Sequence, residues 1–233
     1  MKKNIYIFLR KLAKKILTFP YSICITFICK IRSNYYTNKI DDGGGKIIIS
    51  DTFMNFKIKK HPTARLIIKG NLRTIAHVGN KNPIYIELGE NSTLSIEGDF
   101  TIGRGVRITL NTNSVLIIGG KEKESDSGIT ADTLIMVYKK ISLGKDFMCA
   151  WNVFISDSDW HHIEGQNHHS DIIIGDHVWI ANSNNILKGS VIGNNTIVAS
   201  NSKTINSAYP DNVLIGGVPA KILREKIGWS RDL

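Results

Sequence analysis

Between Ile174 and Thr204 one aliphatic or β-branched residue recurs every six positions without a miss: Ile174, Ile180, Ile186, Ile192, Val198 and Thr204. Small residues follow four of them, as Gly175, Ala181, Gly193 and Ala199, and Asp, Asn, His and Ser lie in the intervals. An apolar period of six fits neither the 3.6-residue turn of an α-helix nor the two-residue alternation of a half-buried strand. It fits a parallel β-helix, in which short strands meet at tight corners and three hexads close one triangular coil. The register side chain then fills the coil interior, and the small residue after it lets the backbone turn without a Cβ clash. A coil cannot bury its interior alone, so coils must stack. A β-sandwich would instead show two-fold alternation, with turn signals roughly 8–12 residues apart.

The same register extends toward the N-terminus. Leu143-Gly144, Cys149-Ala150 and Ile155-Ser156 keep it cleanly, and Leu88, Leu94, Phe100 and Val106 keep it with Gly89 in the small position. Strand-like runs such as Ile47-Ile48-Ile49 and Leu66-Ile67-Ile68 read as degenerate coils. The segment from Gly119 to Asp132 holds the charge run Lys121 to Asp126, which cannot line an interior and is expected to be an exposed loop. The breaker Asp41-Asp42-Gly43-Gly44-Gly45 marks a boundary. The expected organisation is all-β: an N-terminal arm over 1–42, a β-helix over 43–208 and a C-terminal extension over 209–233.

Charge is unevenly placed. The net charge is +10, yet the first forty residues hold nine Lys and Arg with no acid, leaving the rest close to neutral. A neutral body with a basic arm argues against nucleic acid and for a local electrostatic contact. Within the arm, Ile5, Leu9, Leu12 and Ile16 fall at helical spacing with Lys3, Arg10 and Lys14 turned away, the pattern of a basic amphipathic helix. The apolar run Ile16 to Cys29, broken by Pro20, is shorter than the roughly 20 residues a spanning helix needs, and no small-residue cleavage site follows. Two expectations stand side by side: a peripheral anchor at the anionic inner face of the membrane, or a helical lid on the β-helix or a neighbouring subunit. Cys24, Cys29 and Cys149 form no disulfide or ligand pattern, which fits a reducing, cytoplasmic compartment.

After Ile155 the hexad pattern is lost until Ile174 resumes it. Polar residues that interrupt a solenoid repeat are where function sits. Asp157-Ser158-Asp159-Trp160-His161-His162 opens this segment. A neutral imidazole can take a proton from a hydroxyl near neutral pH, and a carboxylate can fix its tautomer, so His161 with Asp157 or Asp159 is a candidate base and its partner. His161-His162 and His168-His169 are not expected to bind metal: adjacent His side chains point apart and no Cys or acidic ligand pattern accompanies them. Asp176-His177 reads as a plain exposed corner.

At this point the chain resembles the left-handed β-helix acyltransferases that use acetyl-coenzyme A. Asp157-Ser158-Asp159-Trp160-His161 is similar to their Asp-x-Asp-x-His loop. Ile174-Gly175-Asp176-His177-Val178-Trp179-Ile180, Ile186-Leu187-Lys188-Gly189 and Gly216-Gly217-Val218-Pro219-Ala220-Lys221-Ile222 follow in the family's order. The resemblance is close over 143–224, general over the rest of the body and absent from the arm. The ending Gly228-Trp229-Ser230-Arg231 is nearest to bacterial capsular and sialic-acid polysaccharide O-acetyltransferases.

The resemblance implies that His161 deprotonates the acceptor hydroxyl for direct attack on the thioester, with Asp159 in the same loop and Trp179 beside the base. It implies that Ala181-Asn182 and Ala199-Ser200 border a pantetheine groove, and that Pro219, Lys221 and Arg224 lie near the coenzyme's phosphates. Many members carry Thr-Lys after the last full coil where this chain has Ile205-Asn206, so Lys203 is a substitute phosphate contact. It further implies a homotrimer with sites at subunit clefts and a glycan or sugar acceptor. The competing readings are N-acetylation of an amino-sugar nucleotide, a zinc hydratase of the γ-carbonic-anhydrase type and a non-catalytic solenoid. The acceptor's identity is expected to rest on loops such as 119–132 and 163–171.

Overall fold

The computed structural model describes residues 23–76, 81–121 and 127–231. The amphipathic pattern over 4–17 and most of the charge run Lys121 to Asp126 lie outside the described residues.

Strands follow one another around a three-sided prism, and each pairs in parallel with the strand three places later. The first face has nine strands, from Lys46–Ile48 to Val213–Gly217 and a closing antiparallel Ala220–Glu225. The second has seven, from Phe56–Lys60 to Lys203–Thr204, and the third has seven, from Arg65–Ile68 to Ala208–Tyr209. The period of six is therefore one strand and one corner, and eighteen residues make one coil: Ile174 pairs with Ile192, Ile180 with Val198 and Ile186 with Thr204. All six of these register side chains are buried, as are Leu88, Leu94, Phe100 and Val106. Strand residues alternate inward and outward, so Ile135 and Val137 fill the core while Leu134 and Met136 face out. Thr204 is tolerated inside because its hydroxyl accepts a hydrogen bond from Ser190 Oγ at 2.8 Å.

The corners divide two tasks between residue types. Left-handed backbone falls mostly on Asn and Asp, for example Asp146, Asn152, Asn195 and Asn201, each with φ between 54° and 58°; these side chains tolerate that region best after glycine. The small residue after a register position serves another purpose. A Cβ on Gly144 would lie 2.4 Å from the backbone carbon of Gly175, and one on Gly175 would lie 2.9 Å from the backbone nitrogen of Asn194. The clash avoided is with the next coil rather than within the turn.

One segment departs from expectation. Gly128–Ala131 is a strand of the first face with Ile129 in the core, so the exposed loop expected over 119–132 does not extend that far. The chain also closes its own N-terminal end. A helix over residues 23–37 fastens its last turns to the first coil: Ile49 N donates to Ser33 Oγ at 2.9 Å and Ile47 N to Thr37 Oγ1 at 3.0 Å. Arg32 donates to the Thr52 carbonyl at 2.7 Å, and Tyr36 packs edge-on to Phe56 with ring centres 4.6 Å apart. An open coil end is a row of unpaired strand edges, and this helix covers part of it.

Core stacking predicts a steep penalty for an interior truncation. Ile186→Ala should lower unfolding free energy by about 2–5 kcal/mol, measured by denaturant titration of the purified protein. A change below about 0.5 kcal/mol would contradict the interior assignment.

Candidate active site

The lapse in the hexad pattern is an insertion in one coil. Cys149 pairs with Ile180 and Ile155 with Ile186, thirty-one residues on instead of eighteen. The excess forms a loop over 157–171 that leaves the corner between the second and third faces, after Phe154–Ser156 and before Ile172–Ile174. Its base is fastened by the carboxylate of Asp157, fully buried, which accepts backbone N–H bonds from Tyr138 (2.6 Å), Lys139 (2.8 Å) and Lys140 (2.7 Å) in the coil below. Those donors would otherwise be left without partners at a turn. Ser158 and His169 form an antiparallel bridge, Asp159 N donates to the His168 carbonyl at 2.8 Å, and Ser170 N donates to the Asp157 carbonyl at 3.0 Å. The loop is thus a short hairpin.

Asp159 turns toward Lys188, which is only 4% exposed and also donates to the Asn167 carbonyl at 2.6 Å. A buried ammonium requires a counter-charge, and this ion pair ties the hairpin to the coil above. Trp160 bonds Ser156 Oγ through Nε1 at 3.0 Å and meets Tyr138 edge-on. Tyr138 also touches the rings of His168 and His169. His161 and His162 remain at the exposed tip. Neither Asp157 nor Asp159 is brought to His161, because backbone donors hold the first and Lys188 the second. Among the described residues the His161 side chain takes no hydrogen bond, so its imidazole faces solvent and can receive a proton.

The expected groove residues gather elsewhere, at the corner between the first and second faces. Ala181 and Asn182 lie directly below Ala199 and Ser200: Ala181 N donates to the Val198 carbonyl at 3.0 Å and Ser200 Oγ to Asn182 Oδ1 at 2.7 Å. Gly216 and Gly217 continue this ladder upward, Gly217 N donating to Ser202 Oγ at 3.0 Å. Lys203 opens the adjoining strand of the second face, Pro219 lies in the turn after the last coil, and Lys221 and Arg224 stand exposed on Ala220–Glu225. One corner thus holds small residues with Lys203 and Lys221 beside them, while Arg224, opposite Leu214, lies toward the other end of its strand.

Trp179 is on the first face, away from the hairpin's corner, and its ring lies 5.9 Å from that of Trp229. Trp229 belongs to a C-terminal strap that descends the corner between the third and first faces. Ile227 N donates to the Asn212 carbonyl at 2.9 Å, Asn195 Nδ2 donates to the Ile227 carbonyl at 3.3 Å, and Arg231 donates to Asp146 Oδ1 at 2.8 Å. Trp229 stacks on His177 with ring centres 4.0 Å apart. His177 faces Asp146 Oδ2 at 2.6 Å with Nδ1 and the Trp229 carbonyl at 3.1 Å with Nε2. The corner expected to be bare is a docking point. A spacing of two residues in the tail, at Ile227, Trp229 and Arg231, matches one contact per coil and is the signal that sequence reading passed over.

No family model matches the chain. The polysialic acid O-acetyltransferase of Neisseria meningitidis is 35% identical over 181 residues, covering 70% of this chain and 82% of that one. The putative lipopolysaccharide biosynthesis O-acetyl transferase WbbJ of Escherichia coli (strain K12) is 27% identical over 161 residues, 61% of this chain and 76% of that one. The crystal structure of the polysialic acid O-acetyltransferase OatWY aligns with a TM-score of 0.55 at 29% identity, covering 82% of this chain and 92% of that one. The chain belongs to the bacterial polysaccharide O-acetyltransferases.

With membership comes the left-handed coil of that family. Among the described residues of the acetyltransferase no three His, Cys, Asp or Glu side chains converge as metal ligands; His168 and His169 contact each other instead, at 3.3 Å.

The strap responds to acid. Burial raises the Asp146 pKa, but the hydrogen bond from His177 and the charges of Arg231 and Lys121 outweigh it, and the net shift is downward from 3.8. A lowered carboxylate stabilises the fold fully above its unfolded value and loses that contribution as pH falls through the folded one. We expect Trp229 fluorescence, read against Trp229→Phe, to report strap release only below about pH 3.8. Asp146→Asn should loosen the strap at neutral pH and abolish this acid step.

Proposed function

We propose that this enzyme transfers an acetyl group from acetyl-coenzyme A to a sugar hydroxyl of a bacterial surface polysaccharide or its precursor. The observation that carries the reading is a solvent-facing histidine on an anchored hairpin, in a family whose relatives are named as polysaccharide O-acetyltransferases. His161 takes the hydroxyl proton while the sugar oxygen attacks the thioester carbonyl carbon. The tetrahedral oxyanion collapses, the carbon–sulfur bond breaks, and the departing thiolate takes the proton from His161. No acyl-enzyme is required. Trp179, on this reading, packs beside the reacting groups.

The small-residue corner suits the donor. Ala181, Asn182, Ala199 and Ser200 leave room for a pantetheine arm against the backbone, and Lys221 and Lys203 offer charge-assisted bonds to phosphates at its upper end, next to Pro219, with Arg224 further along the same strand. Hairpin and ladder belong to different corners of the prism, so one chain does not close the site. A homotrimer about a three-fold axis along the prism would carry the hairpin of one copy to the ladder of the next.

The N-terminal helix supports a peripheral membrane contact on the inner face. No helix among the described residues is long and apolar enough to cross a membrane. Ile23, Phe27, Ile31 and Tyr35 instead form an exposed stripe at four-residue spacing, Phe27 being 62% exposed, within a sequence of forty residues that holds nine Lys and Arg and no acid. Apolar burial plus about 1 kcal/mol per basic side chain would hold such a helix on anionic lipid.

His161→Ala should reduce turnover by about 10²–10⁴-fold with acetyl-coenzyme A affinity kept, while His162→Ala stays near wild type; reversal of the two would move the base by one residue. Lys221→Ala should raise KM for the donor more than it lowers kcat, because phosphates are held equally in ground and transition states. Sedimentation with anionic vesicles tests the helix: the full chain should pellet at low salt and be released at high salt, and a chain starting at Gly43 should stay in solution. Salt-independent behaviour would mean that the stripe packs on protein.

A further inference from the structure

The ladder at the corner of the first and second faces begins on a residue unlike the small ones above it. Trp151 ends strand Met148–Trp151 and is 52% exposed. Its carbonyl accepts Ser183 N at 3.0 Å, as the carbonyl of Asn182 accepts Asn201 N at 3.2 Å one coil higher. Trp151 therefore stands directly below Asn182 and Ser200. A single exposed apolar side chain is ordinary on a protein surface; the setting of this one is not.

Height along the prism is the first argument. The coil that holds Trp151 also gives rise to the hairpin, since Asp157 follows six residues later. Rotation about a three-fold axis parallel to the prism leaves height unchanged, so the hairpin of a neighbouring copy, which bears His161, springs from the level of Trp151. Donor direction is the second. The phosphate-binding cations lie on the uppermost coils, so an acetyl group carried on an arm along the small residues is delivered downward, to the same level. The acceptor hydroxyl must then be presented beside Trp151.

What lies below supplies the third argument. A concavity at the same corner is lined by Asn82, Pro83, Gly105, Arg107, Asp132 and Asn152. Asp132 is engaged by Asn82 Nδ2 at 2.9 Å. The exposed guanidinium of Arg107 has no ion pair or side-chain hydrogen bond among the described residues. Arg107 stacks two strands below Phe154 on the second face, and so lies two coils, about 10 Å in height at the usual strand spacing, below the coil of Trp151. A concavity of mixed polar and apolar lining, with one unpaired cation and the Asn82-bound Asp132, on the corner that also carries the exposed Trp151, suits an extended, hydroxylated chain bearing a carboxylate.

Resting on the acetyl-transfer reading above, we infer that Trp151 is the platform on which the acceptor sugar stacks, and that the glycan continues down the corner to Arg107, which binds the carboxylate of an acidic sugar unit. The indole covers the C–H face of a pyranose and leaves its hydroxyls at the rim, open to the base. A guanidinium takes a carboxylate through two parallel N–H bonds. Since Arg107 lies two coils away, the carboxylate belongs to a unit neighbouring the one acetylated.

Steady-state kinetics with acetyl-coenzyme A and a panel of sialic-acid, uronic-acid and neutral oligosaccharides tests this. Wild type should acetylate an acidic member. Trp151→Ala should raise KM for that acceptor at least tenfold with donor KM and trimer mass unchanged, and Trp151→Phe should recover most of the loss. Arg107→Ala should raise KM for the acidic acceptor and leave any neutral one unaffected. Loss of the trimer in Trp151→Ala, or a change confined to donor KM, would make Trp151 an interface or donor residue and overturn the inference. A wild type that neither binds nor consumes acetyl-coenzyme A defeats the acetyl-transfer reading itself. One that does so, yet modifies no acidic glycan, defeats this inference alone.

Discussion

Everything in this molecule depends on parallel stacking of like on like across coils. Each interior side chain rests on its counterpart one coil away, eighteen residues on in the C-terminal coils, as Ile180 on Val198 and Ile174 on Ile192. Burial of an aliphatic side chain contributes roughly 1.5–3 kcal/mol, and here it is repeated at the same three points of every coil. The stack fixes the height of each corner, and the corners are where side chains leave the prism. The hairpin, the small-residue ladder and the strap each occupy a different corner, so chemistry, donor groove and fastening do not compete for space.

How much of this was legible in the chain follows from what each feature depends on. The register depends on local spacing, and Ile174 to Thr204 displays it openly. The hairpin's position could be read as the lapse in that spacing between Ile155 and Ile174. The roles of Asp157 and Asp159 could not, because the two look alike in a row of alternating polar residues. What separates them is a coil below, which aims the N–H groups of Tyr138, Lys139 and Lys140 at one carboxylate, and a coil above, which aims Lys188 at the other. Gly128–Ala131 was hidden by its neighbours: the charge run before it dominates the composition, although Ile129 is an interior residue of the ordinary kind.

His177 shows the same limit at longer range. As a left-handed corner residue beside an exposed Asp176, it has no local mark of function. Its partners are Asp146, thirty-one residues earlier, and Trp229, fifty-two later. The small residues after the register positions were read correctly as necessary, but for a local reason. Their real neighbours, such as Gly175 over Gly144, come from the next coil.

The strap also bears on the order of events during synthesis. A coil needs only the coil before it, so the prism can grow from its N-terminal helix as the chain emerges. Arg231 and Trp229, which join Asp146 and His177 across 85 and 52 residues, emerge from the ribosome after the coils they fasten. Until they arrive, the third-to-first corner from Asp146 upward stands open, and its coils are held only by their neighbours. Arrival of the strap is thus the moment at which coils held only by their neighbours become fastened along one side.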